Sequence, residues 1–223
     1  MSMVCGCTLV GVGLWAGVAA DHQGAPLASY WAYWNYTGYE AKGTAWTEYS
    51  DLMARMGSLG RSHGCGRALW EPSAGKIDGF DDPISRYGTS LALELLPYWT
   101  NECIGSQEGL YFESSATKDT HFLTVSELAE HPSNPVRGLV YGTAADFAQG
   151  VEHARMLGVR YLMFWAPESK ARAANSTALR RVLSVADIDG VAPKGWEVYE
   201  IRDWSLVAGL DTEPVVAQTA AGT

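Results

Sequence analysis

The first twenty residues, Met1 to Ala20, carry no charge, and Asp21 and His22 end the run abruptly. A helix rising about 1.5 Å per residue over that stretch matches the roughly 30 Å hydrocarbon core of a bilayer. Three arrangements accommodate such a run. Residues 1–20 can form a transmembrane helix, which fits their length and lack of charge. They can form a cleaved signal peptide, because Val18-Ala19-Ala20 is a small-residue cleavage pattern. They can also form a buried core helix, for which twenty residues is long. No Lys or Arg occurs before Lys42, so the basic n-region of a leader is missing. The membrane helix is therefore the expectation, in a chain that opens inside a longer membrane protein. With no basic residue on the domain side before Lys42, the domain is expected on the extracytoplasmic side.

The remainder is long enough for one domain with a real core. The formal net charge of -9 argues against nucleic acid as a partner, because phosphates need a basic surface. It also argues against a polybasic grip on anionic lipid. Nine Trp and eleven Tyr are many for this length, enough to supply a core, an interfacial belt or platforms for sugar rings. Cys5 and Cys7 sit in the apolar run. Cys65 and Cys103 are an even pair in the domain, either two thiols or one disulfide, which in an oxidising compartment stabilises by roughly 3–4 kcal/mol. No Cys/His spacing matches a metal site, and no Gly-rich strand–turn–helix signature cradles a nucleotide, so no metal and no cofactor is expected.

Residues 21–45 show no clean period and read as an aromatic membrane-proximal linker. A helix is expected from Thr47, as N-cap, to about Gly60, with Leu52, Met53, Met56 and Leu59 on one face. Arg67–Trp70 reads as a strand, residues 71–88 as a long Gly/Pro/Asp loop, and Leu110–Glu113 as a strand. A short helical turn over Val125–Glu130 would be capped by Thr124 with Glu127 at the capping-box position. Gly138–Tyr141 is strand-like. Thr143–Leu157 reads as a helix ending at Gly158, Val159–Trp165 as a buried strand, a helix capped by Ser176 as running to Ala186, and Trp196–Ile201 as a half-exposed strand. This order predicts an α/β fold over 46–213 behind the transmembrane helix, with a frayed tail over 214–223.

Six blocks occur in order: Trp34-Asn-Tyr-Thr-Gly-Tyr-Glu40, Gly64-Cys-Gly-Arg-Ala-Leu-Trp-Glu71, Tyr87-Gly-Thr89, Leu95-Leu-Pro-Tyr-Trp-Thr100, Glu108-Gly-Leu-Tyr-Phe-Glu-Ser-Ser115 and Leu157-Gly-Val-Arg-Tyr-Leu162. Their succession over residues 1 to about 217 resembles the C-terminal extracytoplasmic region of bacterial GT-C-glycosyltransferase-like multi-pass membrane proteins. Those proteins are often labelled 6-pyruvoyl-tetrahydropterin-synthase-related membrane proteins. The resemblance implies a domain hung after the last helix of a membrane bundle. It also implies that the catalytic acid, which in such enzymes sits in an early external loop, lies outside this chain. The implied partners are the lipid bilayer, the protein's own upstream membrane bundle, and a lipid-linked sugar or cell-envelope glycan.

Candidate sugar contacts are Trp34, Asn35, Tyr36, Tyr39 and Glu40, where aromatic faces, an amide and a carboxylate crowd together; interfacial anchoring explains the same aromatics. Arg67, Trp70 and Glu71 close a strand before a long loop. Glu108 and Glu113 flank another strand and could act as a carboxylate pair on a glycosidic bond; structural Arg–Glu pairing is the plainer alternative. Two further function classes stay open: a secreted carbohydrate-active hydrolase using paired glutamates, and a protein-interaction module without ligand.

Overall fold

The computed structural model describes residues 46–71, 92–107, 118–130, 132, 143–186 and 195–207. The expected membrane helix over 1–20, the linker over 21–45, the loop after Glu71, the strands at Leu110–Glu113 and Gly138–Tyr141 and the tail all lie outside these residues. Among the described residues no helix is long and apolar enough to cross a membrane.

The chain folds as mixed α/β. Helix α1 spans Trp46–His63, so Thr47 lies inside its first turn, not at the cap. Tyr49, Leu52, Met53, Met56 and Leu59 recur at helical spacing and are buried. The helix stops at Gly64, whose φ of +112 suits glycine alone. Strand β1, Gly66–Trp70, follows. A 3-10 turn at Ala92–Leu95 runs into the short α2, Leu96–Trp99, and then β2, Ile104–Ser106. Helices α3, Lys118–Leu128, and α4, Ala144–Met156, precede β3, Val159–Phe164. Helix α5, Pro167–Asn175, leads to β4, Leu179–Ser184, and β5, Glu197–Ile201.

The five strands lie in the order β2-β1-β3-β5-β4. Strand β1 pairs parallel with β2 and with β3, whereas β5 runs antiparallel to both β3 and β4. Strand alternation sends Ala68, Trp70, Tyr161, Met163 and Val198 into one core with α1 and α2. Leu69, Leu162, Phe164, Tyr199 and Ile201 enter a second core with α3, α4 and α5. The molecule is thus layered helix, sheet, helix.

Three sequence expectations need correction. Helix α3 begins seven residues ahead of Val125, at Lys118. Thr124 is therefore interior to it, and its hydroxyl donates to the Thr120 carbonyl at 2.9 Å instead of capping. Glu127, expected in a capping box, reaches the neighbouring helix and pairs with His153 Nδ1 at 2.7 Å. Further on, Ser176 ends a helix instead of starting one: its N–H closes on the Ala173 carbonyl, and Leu179–Ser184 forms edge strand β4. Trp196–Ile201 was expected half-exposed, but β5 lies between β3 and β4 with a core on each face, so Val198 through Ile201 are all buried.

Helix α4 follows its sequence signals. Thr143 accepts from the Asp146 N–H at 3.1 Å, and Asp146 accepts from the Thr143 N–H at 3.2 Å, a reciprocal capping box. Gly158, at φ +73, ends it. Gly150 lets α4 approach α3 closely: a Cβ there would lie 2.8 Å from the Cβ of Glu127.

Candidate functional site

Strands β1 and β3 are parallel neighbours whose outgoing connections diverge. The chain leaving β1 travels to β2 on one side, and the chain leaving β3 travels through α5 to β4 on the other. In open α/β sheets the crevice at such a point, outside the carboxyl ends of the strands, is where ligands bind. Glu71 occupies it. Its Oε2 accepts the N–H groups of Trp165 at 3.0 Å and Ala166 at 2.8 Å. Its Oε1 accepts the Ser169 hydroxyl at 2.6 Å and the Glu130 N–H at 3.0 Å.

The local sequence explains this. Helix α5 opens Ala166-Pro167, and Ala166 has no side chain able to cap. The orphan N–H groups of the first turn need acceptors, and a negative charge there is favoured by the helix dipole. Glu71 supplies both at the helix entrance, to the N-cap N–H of Ala166, 95 residues away, and to that of Trp165 just ahead of it. Glu130 adds a second carboxylate, its Oε2 accepting the Glu168 N–H at 3.2 Å. Glu71 is 5% exposed. A carboxylate with four donors and almost no solvent contact is a structural tie, with neither the access nor the unoccupied lone pairs that acid–base work on a substrate requires.

The other candidates on this strand point elsewhere. Trp70, 2% exposed, packs in the α1-side core and presents no face for a sugar ring. Arg67 donates to the Leu157 carbonyl at 2.7 Å and to Gln107 Oε1 at 3.1 Å. Arg67, Trp70 and Glu71 are consecutive or nearly so, yet they form no common surface. Trp34, Asn35, Tyr36, Tyr39, Glu40, Glu108 and Glu113 lie outside the described residues. Cys65 and Cys103 are joined in a disulfide, with Cα atoms 4.7 Å apart. Gly60 is required beside it, since a Cβ there would stand 2.6 Å from Cys103 Sγ. Among the described residues no group of three or more His, Cys, Asp or Glu side chains is placed to hold a metal ion.

A second polar centre lies at the other end of β3. Arg160 is the extra residue of a β-bulge, where the β1–β3 register steps from Arg67↔Val159 to Ala68↔Tyr161. Its guanidinium donates to Glu200 Oε1 from Nε at 2.9 Å and from Nη2 at 2.7 Å. It also donates to the carbonyls of Cys65, at 3.2 Å, and His63. This explains Gly64 and Gly66 on either side of Cys65: a Cβ at Gly64 would meet Arg160 Nη1 at 2.5 Å, and one at Gly66 would meet its Cβ at 2.8 Å. Arg180, opposite Glu200 on β4, donates to Glu200 Oε2. Burial pushes the Glu200 carboxyl upward, but hydrogen bonds from Arg180 and Arg160 outweigh it and hold the group below its ordinary value of 4.5.

Beside this triad is a cavity of about 370 Å³, lined by Arg180, Glu200, Ile201, Arg202, Asp203 and Trp204. Arg160 stacks over the Trp204 ring at 5.0 Å. Local sequence does not reveal this centre, because Ser176–Ala186 reads as a helix, which hides the pairing of Arg180 with Glu200. The signal was available in Leu-Arg-Arg-Val-Leu, a short run bounded by turn residues.

No family model, no curated protein and no solved structure matches this chain.

Proposed function

We propose that this chain is a membrane-anchored extracytoplasmic accessory domain of a GT-C-like membrane protein. It positions a lipid-linked sugar or a cell-envelope acceptor and does not itself transfer the sugar. The observation that carries the reading is the Cys65–Cys103 disulfide, which ties the turn after α1 to the start of β2. Such bonds persist in oxidising compartments and are rare where thiols are kept reduced. The sequence adds the uncharged run over 1–20, long enough to anchor the domain beside a bilayer. The non-catalytic part of the reading is supported by the fate of Glu71, whose lone pairs are committed to the N–H groups of Glu130, Trp165 and Ala166 and to the Ser169 hydroxyl.

The test joins location to binding. A reporter fused ahead of Trp46 and maleimide labelling of Cys65 and Cys103 in intact cells should give an extracytoplasmic position and blocked thiols. The purified chain should then bind polyprenyl-phosphate sugars or envelope glycan saturably without turnover. A cytoplasmic reporter with both thiols labelled sinks the reading. So does release of reducing ends that is lost in Glu108→Gln or Glu113→Gln, which would make the chain a hydrolase.

A further inference from the structure

Three features have no part in the structural ties described above: the half-buried Glu127–His153 pair between α3 and α4, the partly exposed aromatic cluster of Trp46, Tyr98 and Trp99, and the cavity beside Glu200. The third combines a shaped space with uncommitted hydrogen-bonding groups. We infer that this cavity is a binding site for a sugar ring bearing one oxyanion, either a phosphate ester or a carboxylate. The inference rests on the reading of the domain as one that positions sugars, and it names the place and the chemistry.

The donors come first. Arg180 is half exposed and has one guanidinium nitrogen on Glu200. Arg202 has its Nε on the Leu179 carbonyl at 3.3 Å. A guanidinium carries five N–H donors in a fixed fork that matches an oxyanion, so both side chains bring unused donors to the wall of the cavity. Charge points the same way. Arg180 and Arg202 line the cavity with Glu200 and Asp203, and Arg160, paired with Glu200 beside it, makes three positive groups against two negative. Glu200 is already neutralised by Arg160 and Arg180. A local positive excess on a chain of net charge -9 favours one anionic group and disfavours a polyanion.

The ring and the acceptor follow. Trp204 lines the cavity and is held by the Arg160 guanidinium on its face, which fixes the indole before any ligand arrives. Its Nε1 is buried and finds no acceptor among the described residues, so Trp204 offers a ligand its ring surface and not its N–H. Indole rings present the apolar surface against which sugar C–H groups pack. Asp203, held at φ +55, puts a carboxylate on the same rim, able to accept from ring hydroxyls. The volume lies within the usual range for small-ligand sites, roughly 300–1,000 Å³.

Isothermal titration calorimetry of the purified full chain tests this, with glucose 1-phosphate, glucuronate and neutral glucose as probes at low and moderate salt. The two anionic probes should bind saturably and glucose about tenfold more weakly or worse. Arg180→Gln and Arg202→Gln should each weaken anionic probes about fivefold or more while leaving the weak glucose affinity unchanged. Trp204→Phe, which keeps a ring, should weaken all three. Comparing the two anionic probes tells phosphate from carboxylate as the preferred group. Arg55→Gln, on an exposed pair with Asp51 far along the sequence, should change nothing and controls for bulk charge. Equal affinity for glucose and the anionic probes overturns the inference, as does anionic binding that survives the Arg180→Gln/Arg202→Gln double variant with its circular dichroism intact. If that double variant still binds envelope glycan, the accessory reading stands and this site falls. If neither the sugar probes nor envelope glycan binds, both fall.

Discussion

Glu71 and Glu200 are both buried glutamates at strand ends, and they are satisfied by different chemistry. Glu71, at the carboxyl end of β1, accepts three backbone N–H groups and one hydroxyl, all from neutral donors. Glu200, beside the amino end of β3, accepts from two guanidiniums. Backbone donors are used up by the carboxylate they meet. Guanidiniums are not, because each carries more N–H groups than one carboxylate can occupy. The first arrangement closes the crevice where α/β sheets usually bind ligands. The second leaves donors over at the edge of a cavity. Location at the customary end of a sheet therefore says less about function than the number of hydrogen-bonding groups left unoccupied.

The comparison breaks most visibly at Glu71. Glu71→Ala should destabilise the fold by about 3–5 kcal/mol, since several buried donors lose their acceptor at once and α5 loses its cap. Urea unfolding would measure it, and a loss below about 1 kcal/mol would show that water replaces the carboxylate. Next in size is the disulfide that braces the turn gripped by Arg160. Cys65→Ser with Cys103→Ser should cost roughly 2–4 kcal/mol. A normal midpoint in that double variant would mean the turn is held by Arg160 alone.

Glu200→Gln should cost less, about 1.5–3 kcal/mol, because Arg180 can turn to solvent. It also carries a pH signature. The folded Glu200 pKa is depressed, so its stabilisation is present above the ordinary value of 4.5 and lost as pH falls through the folded value. Stability of the native chain should therefore decline on acidification below about pH 4.5, with a shallower slope in Glu200→Gln. Identical slopes would remove the electrostatic account. The alkaline limb has its own marker. Burial and the hydrogen bond to Glu197 push the Tyr199 phenol well above its ordinary 10.0, so ultraviolet titration should leave this ring un-ionised where exposed tyrosines have titrated. Smallest of all is Arg55→Gln on the exposed Asp51 pair, expected within about 0.5 kcal/mol.

How far sequence reached depends on whether a signal was local. Helix α4 was legible because Thr143, Asp146 and Gly158 are cap and stop within one chain segment. The α1 stripe and the hydrophobic run of β3 were legible for the same reason. Helix α5 was not, because its first turn is Ala166-Pro167 and its cap arrives from Glu71, far away in the chain. Thr124 and Ser176 resembled caps because a hydroxyl before an apolar run is a cap only if the backbone there leaves the helix, and no residue type reports that.

By itself the sequence determined the α/β class, the elements with their own start and stop signals, and the aromatic and apolar positions able to fill a core. Only the tertiary structure decided that Glu71 is consumed as a helix cap, that Cys65 meets Cys103, and that Arg160, Arg180 and Glu200 converge beside Trp204. The reason is distance along the chain: propensity and periodicity act over a few residues, whereas a buried charge is assigned its partner by strand register, which is set by the packing of the whole sheet.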